Sequence, residues 1–103
     1  DEGLKVLCDS PYIDNLKTLN LKSNNITEEG AKHLAESPKL AKLEHLILKF
    51  NRIGELGATY LAKSETLSNL STLDLFRNRI GDEGAKAIKK SKIFRGVSRL
   101  RLD

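Results

Sequence analysis

The sequence predicts a right-handed α/β solenoid, with a parallel sheet on the concave side of a short arc and helices on the convex side. Three observations carry this. Apolar columns recur every 27 residues with no insertion: Leu16, Leu43, Leu70 and Val97; Leu19, Leu46, Leu73 and Leu100; Leu21, Leu48, Leu75 and Leu102. Within each period a strand-like alternation gives way to helical spacing. One strand–helix unit cannot cover its own apolar face, so the units must stack and their strands must run parallel. The period divides the chain, as one domain, into a partial repeat 1–15, repeats 16–42, 43–69 and 70–96, and a partial repeat 97–103.

The first element follows from self-alignment. Residues 1–13, DEGLKVLCDSPYI, match EEGAKHLAESPKL further on, so a helix is expected over 2–9. The motif Leu-x-x-Leu-x-Leu then ends in a period-2 alternation, which marks a short strand with one buried face. It places strands near 16–22, 43–49, 70–76 and 97–102. Asn24, Asn51 and Asn78 follow the strands where the backbone must turn. Their amides can satisfy N–H and C=O groups that the turn leaves unpaired, forming a ladder one repeat apart.

After Ile26, Ile53 and Ile80 the spacing becomes helical, giving helices near 28–36, 55–63 and 82–91. Thr27, Gly54 and Gly81 stand at the N-cap positions, where Thr and Gly are tolerated. Acids at Glu28, Glu29, Glu55, Asp82 and Glu83 suit the positive end of the helix dipole. Gly30, Gly57 and Gly84 lie early in each helix, where glycine costs about 1 kcal/mol against alanine. Its recurrence there predicts close packing of bare Cα atoms against a neighbouring backbone. Pro38 stops one helix, and Ser10, Ser37, Ser64 and Ser91 form a further column.

Composition narrows the function classes. With no Trp or Met and 18 Leu the core must be aliphatic, and no apolar run approaches the roughly 18 residues of a membrane span. One cysteine, Cys8, excludes an internal disulfide and a multi-cysteine zinc site; it shares a column with Ala35 and Ala62, which marks a small buried thiol. The two histidines fall on opposite sides of the solenoid, His33 on a convex helix and His45 on the inner strand face. No serine or acid is placed to complete a triad, and the glycines follow the repeat and not a phosphate-binding loop. No cofactor is expected. Charge is asymmetric: residues 76–103 carry nine Lys/Arg against three acids, whereas residues 1–75 carry nine against eleven.

The runs LKTLNLKSNNITEEGAKHLAESPKL, LEHLILKFNRIGELGATYLAKSETL and LSTLDLFRNRIGDEGAKAIKKSKIF resemble the ribonuclease-inhibitor-like class of leucine-rich repeats. The likeness covers nearly the whole chain. It implies a horseshoe arc and is shared with repeats in Ran GTPase-activating proteins, intracellular immune receptors and bacterial effectors. It therefore implies an intracellular, cytoplasmic setting, or delivery into a host cytosol. Vertebrate ribonuclease inhibitors alternate longer, Cys-rich repeats, so ribonuclease inhibition is not implied. The chain starts and stops inside a repeat, so a segment of a longer array is expected, and bare ends invite self-association.

On the repeat template, residues between the strand leucines face the concave surface in columns: Thr18, His45, Thr72, Arg99; Asn20, Ile47, Asp74, Arg101; Lys22, Lys49, Phe76, Asp103; and Ser23, Phe50, Arg77. Phe50 and Phe76, flanked by His45 and Ile47, are candidate hot spots, and Arg77, Arg99 and Arg101 can add charge-assisted contacts. The expectation is a non-catalytic module that binds a protein partner, acidic in surface, on this face. A Ran-activator-like regulator, a basic nucleic-acid binder and a plain spacer are the alternatives. Nucleic acid is disfavoured because no aromatic–basic stacking platform repeats.

Overall fold

Four times the chain passes from a helix to a short strand, each pass laid beside the one before. The computed structural model describes residues 1–102. Its elements are α1 (Glu2–Cys8), β1 (Thr18–Asn20), α2 (Glu28–Glu36), β2 (His45–Ile47), α3 (Gly54–Ala62), β3 (Thr72–Asp74), α4 (Gly81–Lys90) and β4 (Arg99–Arg101), with 3₁₀ turns at Pro38–Leu40 and Lys92–Phe94. The strands form one sheet in the order β1-β2-β3-β4, all parallel. Leu19, Leu46, Leu73 and Leu100 lie in one row across it. This is a short α/β solenoid.

Burial follows the apolar columns. Leu34, Leu46, Leu48, Ile53, Leu61, Leu73, Leu75 and Ile80 are fully enclosed between sheet and helices. The helices stack in sequence order, and glycine makes their close approach possible. A Cβ added at Gly57 would lie 3.3 Å from both Ala31 Cβ and Glu28 Cα, on the preceding helix. At Gly84 the corresponding distances to Ala58 Cβ and Glu55 Cα are 3.2 and 3.4 Å. Gly3, on the first of the described helices, would meet nothing within 4 Å.

The strands are three residues long, shorter than the expected six or seven. At their start, the chain is still turning when it reaches the first apolar residue of the first, second and fourth motifs. Leu16 N donates to Ile13 O, Leu43 N to Leu40 O and Val97 N to Phe94 O, all three residues back. The helix starts also divide into two kinds. Thr27 is an N-cap whose Oγ1 accepts from Glu29 N at 3.3 Å, and it is further held by the Asp1 carboxylate. Gly54 and Gly81 instead open α3 and α4 with φ of +72° and +70°. Glycine is there for a left-handed backbone that other residues adopt at a cost.

Two polar columns tie successive coils together. Asn51 Oδ1 accepts from Asn24 N and Ile26 N, both at 2.9 Å, while its Nδ2 donates to Leu21 O and Leu48 O. Asn78 repeats the pattern one coil on, accepting from Ile53 N and donating to Leu48 O at 2.8 Å. On the other side, Ser37, Ser64 and Ser91 donate to the carbonyls of Cys8, Ala35 and Ala62. Those carbonyls belong to the last turns of the preceding helices, which have no partner within the helix itself.

Candidate functional site

The turns that follow β2 and β3 position the site. Parallel pairing sets Ile47 beside Asp74 and Asp74 beside Arg101. Asp74 is almost fully buried and its Oδ1 accepts from Phe76 N at 3.0 Å, fixing the backbone as it leaves β3. Its other oxygen, Oδ2, lies 3.8 Å from Arg101 Nη1. The guanidinium of Arg101 thereby rests over the Phe76 ring, 4.5 Å from its centre, and that of Arg77 lies 5.3 Å from the same ring. Contacts of this kind contribute about 0.5–1 kcal/mol at exposed sites.

Phe50 meets Phe76 edge-to-face, with ring centres 5.9 Å apart and planes at 76°. The edge of one ring carries partial positive charge and the face of the other partial negative charge, which favours this arrangement. Phe50 remains 49% exposed. Its backbone is left-handed, φ +61°, as is that of Arg77 at +60° and of Arg79 at +56°. The Phe50 N–H donates to Phe76 O at 2.9 Å, which holds the two turns side by side. Together Phe50, Asn51, Arg52, Phe76, Arg77 and Arg79 line an open groove of about 690 Å³.

The structure thus brings Phe50, Phe76, Arg77 and Arg101 into direct contact. His45, Ile47 and Arg99 lie in the strand rows and outside the groove lining. His45 is half-buried and shares a 2.9 Å hydrogen bond between its Nδ1 and Thr72 Oγ1. Arg99 is exposed and paired in register with Thr72. Lys22 is exposed, Lys49 is half-buried, and Asp103 lies outside the described residues. Sequence reasoning missed Arg52, Arg79 and Asp74. The repeat columns contained the signal, since Arg52 and Arg79 occupy the position of Asn25, and Asp74 sits between Ile47 and Arg101.

Cys8 and His33 lie away from these turns. Burial pushes the Cys8 thiol above its usual pKa, and the neighbouring Asp9 carboxylate pushes it the same way against a hydrogen bond from Ser37. That favours the thiol over the nucleophilic thiolate. His33 lies on α2, remote from His45 on β2. Among the described residues no group of three His, Cys, Asp or Glu side chains could hold a metal ion, and no helix is long and apolar enough to cross a membrane.

A family model described as Leucine Rich repeat matches residues 14–35, 39–62 and 66–89, more than half of the chain. The chain belongs to the leucine-rich repeat family. A search of curated proteins found no match. Leucine-rich repeats commonly mediate protein–protein interaction and are typically non-catalytic modules. The solenoid of the present leucine-rich repeat protein displays its aromatic and basic side chains where stacked strands end.

Proposed function

We propose that this leucine-rich repeat protein is a non-catalytic interaction module that holds a protein partner on its concave face through Phe50, Phe76 and Arg77, flanked by His45, Ile47, Arg99 and Arg101. The half-exposed edge-to-face pair of Phe50 and Phe76 carries the reading. Aromatic and arginine side chains dominate binding hot spots, and covering apolar surface yields about 25 cal/mol per Å². The rim of Lys22, Lys49, Arg99 and Arg101 speeds encounter with an acidic partner more than it tightens the complex. The uniform 27-residue spacing and Gly-Ala helices favour the ribonuclease-inhibitor-like class and, with it, an intracellular, cytoplasmic setting.

Capture from a lysate with wild type, Phe50→Ala/Phe76→Ala and Arg99→Glu/Arg101→Glu tests the module. Partners are expected to be lost with the aromatic pair; retention of every partner overturns the concave site, and loss on nuclease treatment replaces it with nucleic-acid binding. Self-association belongs to the same proposal. Leu100 is 37% exposed where its row-mates Leu46 and Leu73 are fully buried. Sedimentation should show concentration-dependent association that Leu100→Lys abolishes, and a strict monomer at high concentration refutes it.

A further inference from the structure

The groove after β2 and β3 is unbalanced in charge. Its lining holds three guanidiniums, Arg52, Arg77 and Arg79, and no carboxylate. Among the described residues none of the three forms an ion pair. Asp74, beside the groove, is already engaged with Arg101 and the Phe76 N–H. The floor is apolar, made by the rings of Phe50 and Phe76.

These side chains also occupy positions that the backbone would fill with others. In the first turn the left-handed residues are Ser23 and Asn25, at φ of 58° and 57°. Asparagine visits this region readily, while bulky side chains pay to enter it. The second and third turns place Phe50, Arg77 and Arg79 there instead. Strain of this kind persists where surrounding structure enforces it, and it clusters at binding sites.

We infer that the occupant of this groove is an acidic peptide segment of a partner protein with one aromatic or aliphatic anchor: the anchor lies against Phe50 and Phe76, and the carboxylates flanking it are taken by Arg52, Arg77 and Arg79. This rests on the interaction-module reading above and names the chemistry of the partner. Arg77 already leans on the Phe76 ring, so its planar fork is oriented before a carboxylate arrives. The same geometry disfavours a single-stranded nucleic acid. Bases bind by stacking on open ring faces, but guanidiniums lie over Phe76, and Phe50 meets it at 76° and not in parallel.

The test is selection of displayed random heptapeptides on the 103-residue chain, followed by fluorescence anisotropy of the enriched peptides and of a labelled oligo-dT. Enriched peptides are expected to combine Asp or Glu with Leu, Phe or Trp. Arg52→Glu/Arg79→Glu should weaken them by about tenfold or more, whereas the same charge change on exposed α4, Lys89→Glu/Lys90→Glu, should weaken them less than about twofold. Arg77→Lys keeps the charge but loses the fork, and should fall between. The inference is overturned if neutral or basic peptides are enriched, if the α4 variant loses as much as the groove variant, or if oligo-dT competes with the peptide. It is also overturned if no peptide is enriched; should lysate capture still depend on Phe50 and Phe76 in that case, the module reading survives without it. Loss of both the peptides and that dependence overturns the module itself.

Discussion

Asn51 satisfies two N–H groups and two carbonyls with one buried side chain. Replacing it strands buried polar groups, so Asn51→Ala should lower unfolding free energy by roughly 1–3 kcal/mol. Asn69 is exposed, and Asn69→Ala should change stability by less than about 0.5 kcal/mol. Urea titrations of the two variants check this, and equal midpoints would remove the role assigned to the turn asparagines. The opposite sign is expected at Arg79, whose left-handed backbone suits the asparagine found at the same position in the first turn. Arg79→Asn should raise stability by about 0.5–1 kcal/mol and weaken peptide binding in the groove. The turn asparagines were legible because a polar residue recurred at fixed spacing among leucines. The left-handed positions were not, because nothing about Phe50 or Arg77 as residue types announces positive φ.

Helices and strands differ in how much of their packing the repeat pattern carries. The glycines of α2, α3 and α4 were readable as contact points because a recurring cost implies a recurring benefit. That gives a paired prediction for thermal unfolding. At Gly57 a Cβ would come within 2.5 Å of Ile53 Cγ2 as well as touching α2, so Gly57→Ala should cost roughly 1–2 kcal/mol after its gain in helix propensity. Gly3→Ala, with open space around it, should stabilise by up to about 1 kcal/mol. A rise in Tm for both variants would mean the helices are not in contact there. The serine column was equally visible as a pattern, yet its task was hidden. That a hydroxyl caps the helix of the previous coil depends on the distance between coils, which periodicity leaves open. Strand length was overestimated for a related reason: alternation reports which side chains point inward, not where ladder bonds begin.

At the scale of the whole molecule, stability resides in the stack. Leu46 and Leu73 are completely enclosed by sheet and helix layers, and alanine at either should cost roughly 2–5 kcal/mol. Leu100, partly open to solvent on β4, should lose clearly less when truncated. A flat response across the three in denaturant would contradict a core that is sealed in the middle of the arc. The candidate site shows the same division. Which residues share the concave columns followed from the register, whereas the gathering of Phe50, Phe76, Arg77 and Arg101 depends on side-chain directions in two tight turns. Arg52 and Arg79 join them only because those turns lie side by side.

Asn51, Asn78, Ser64 and Ser91 each place a bond on the N-terminal neighbour. Damage should therefore appear one coil away from the lesion. In amide exchange, Asn51→Ala should expose the N–H groups of Asn24 and Ile26 before those of its own coil, and Asn78→Ala should do the same to Ile53. Mutational phenotypes in this chain would then map with a fixed offset, and a variant that loosens the Phe50 turn is better sought in the coil that follows it than in the turn itself.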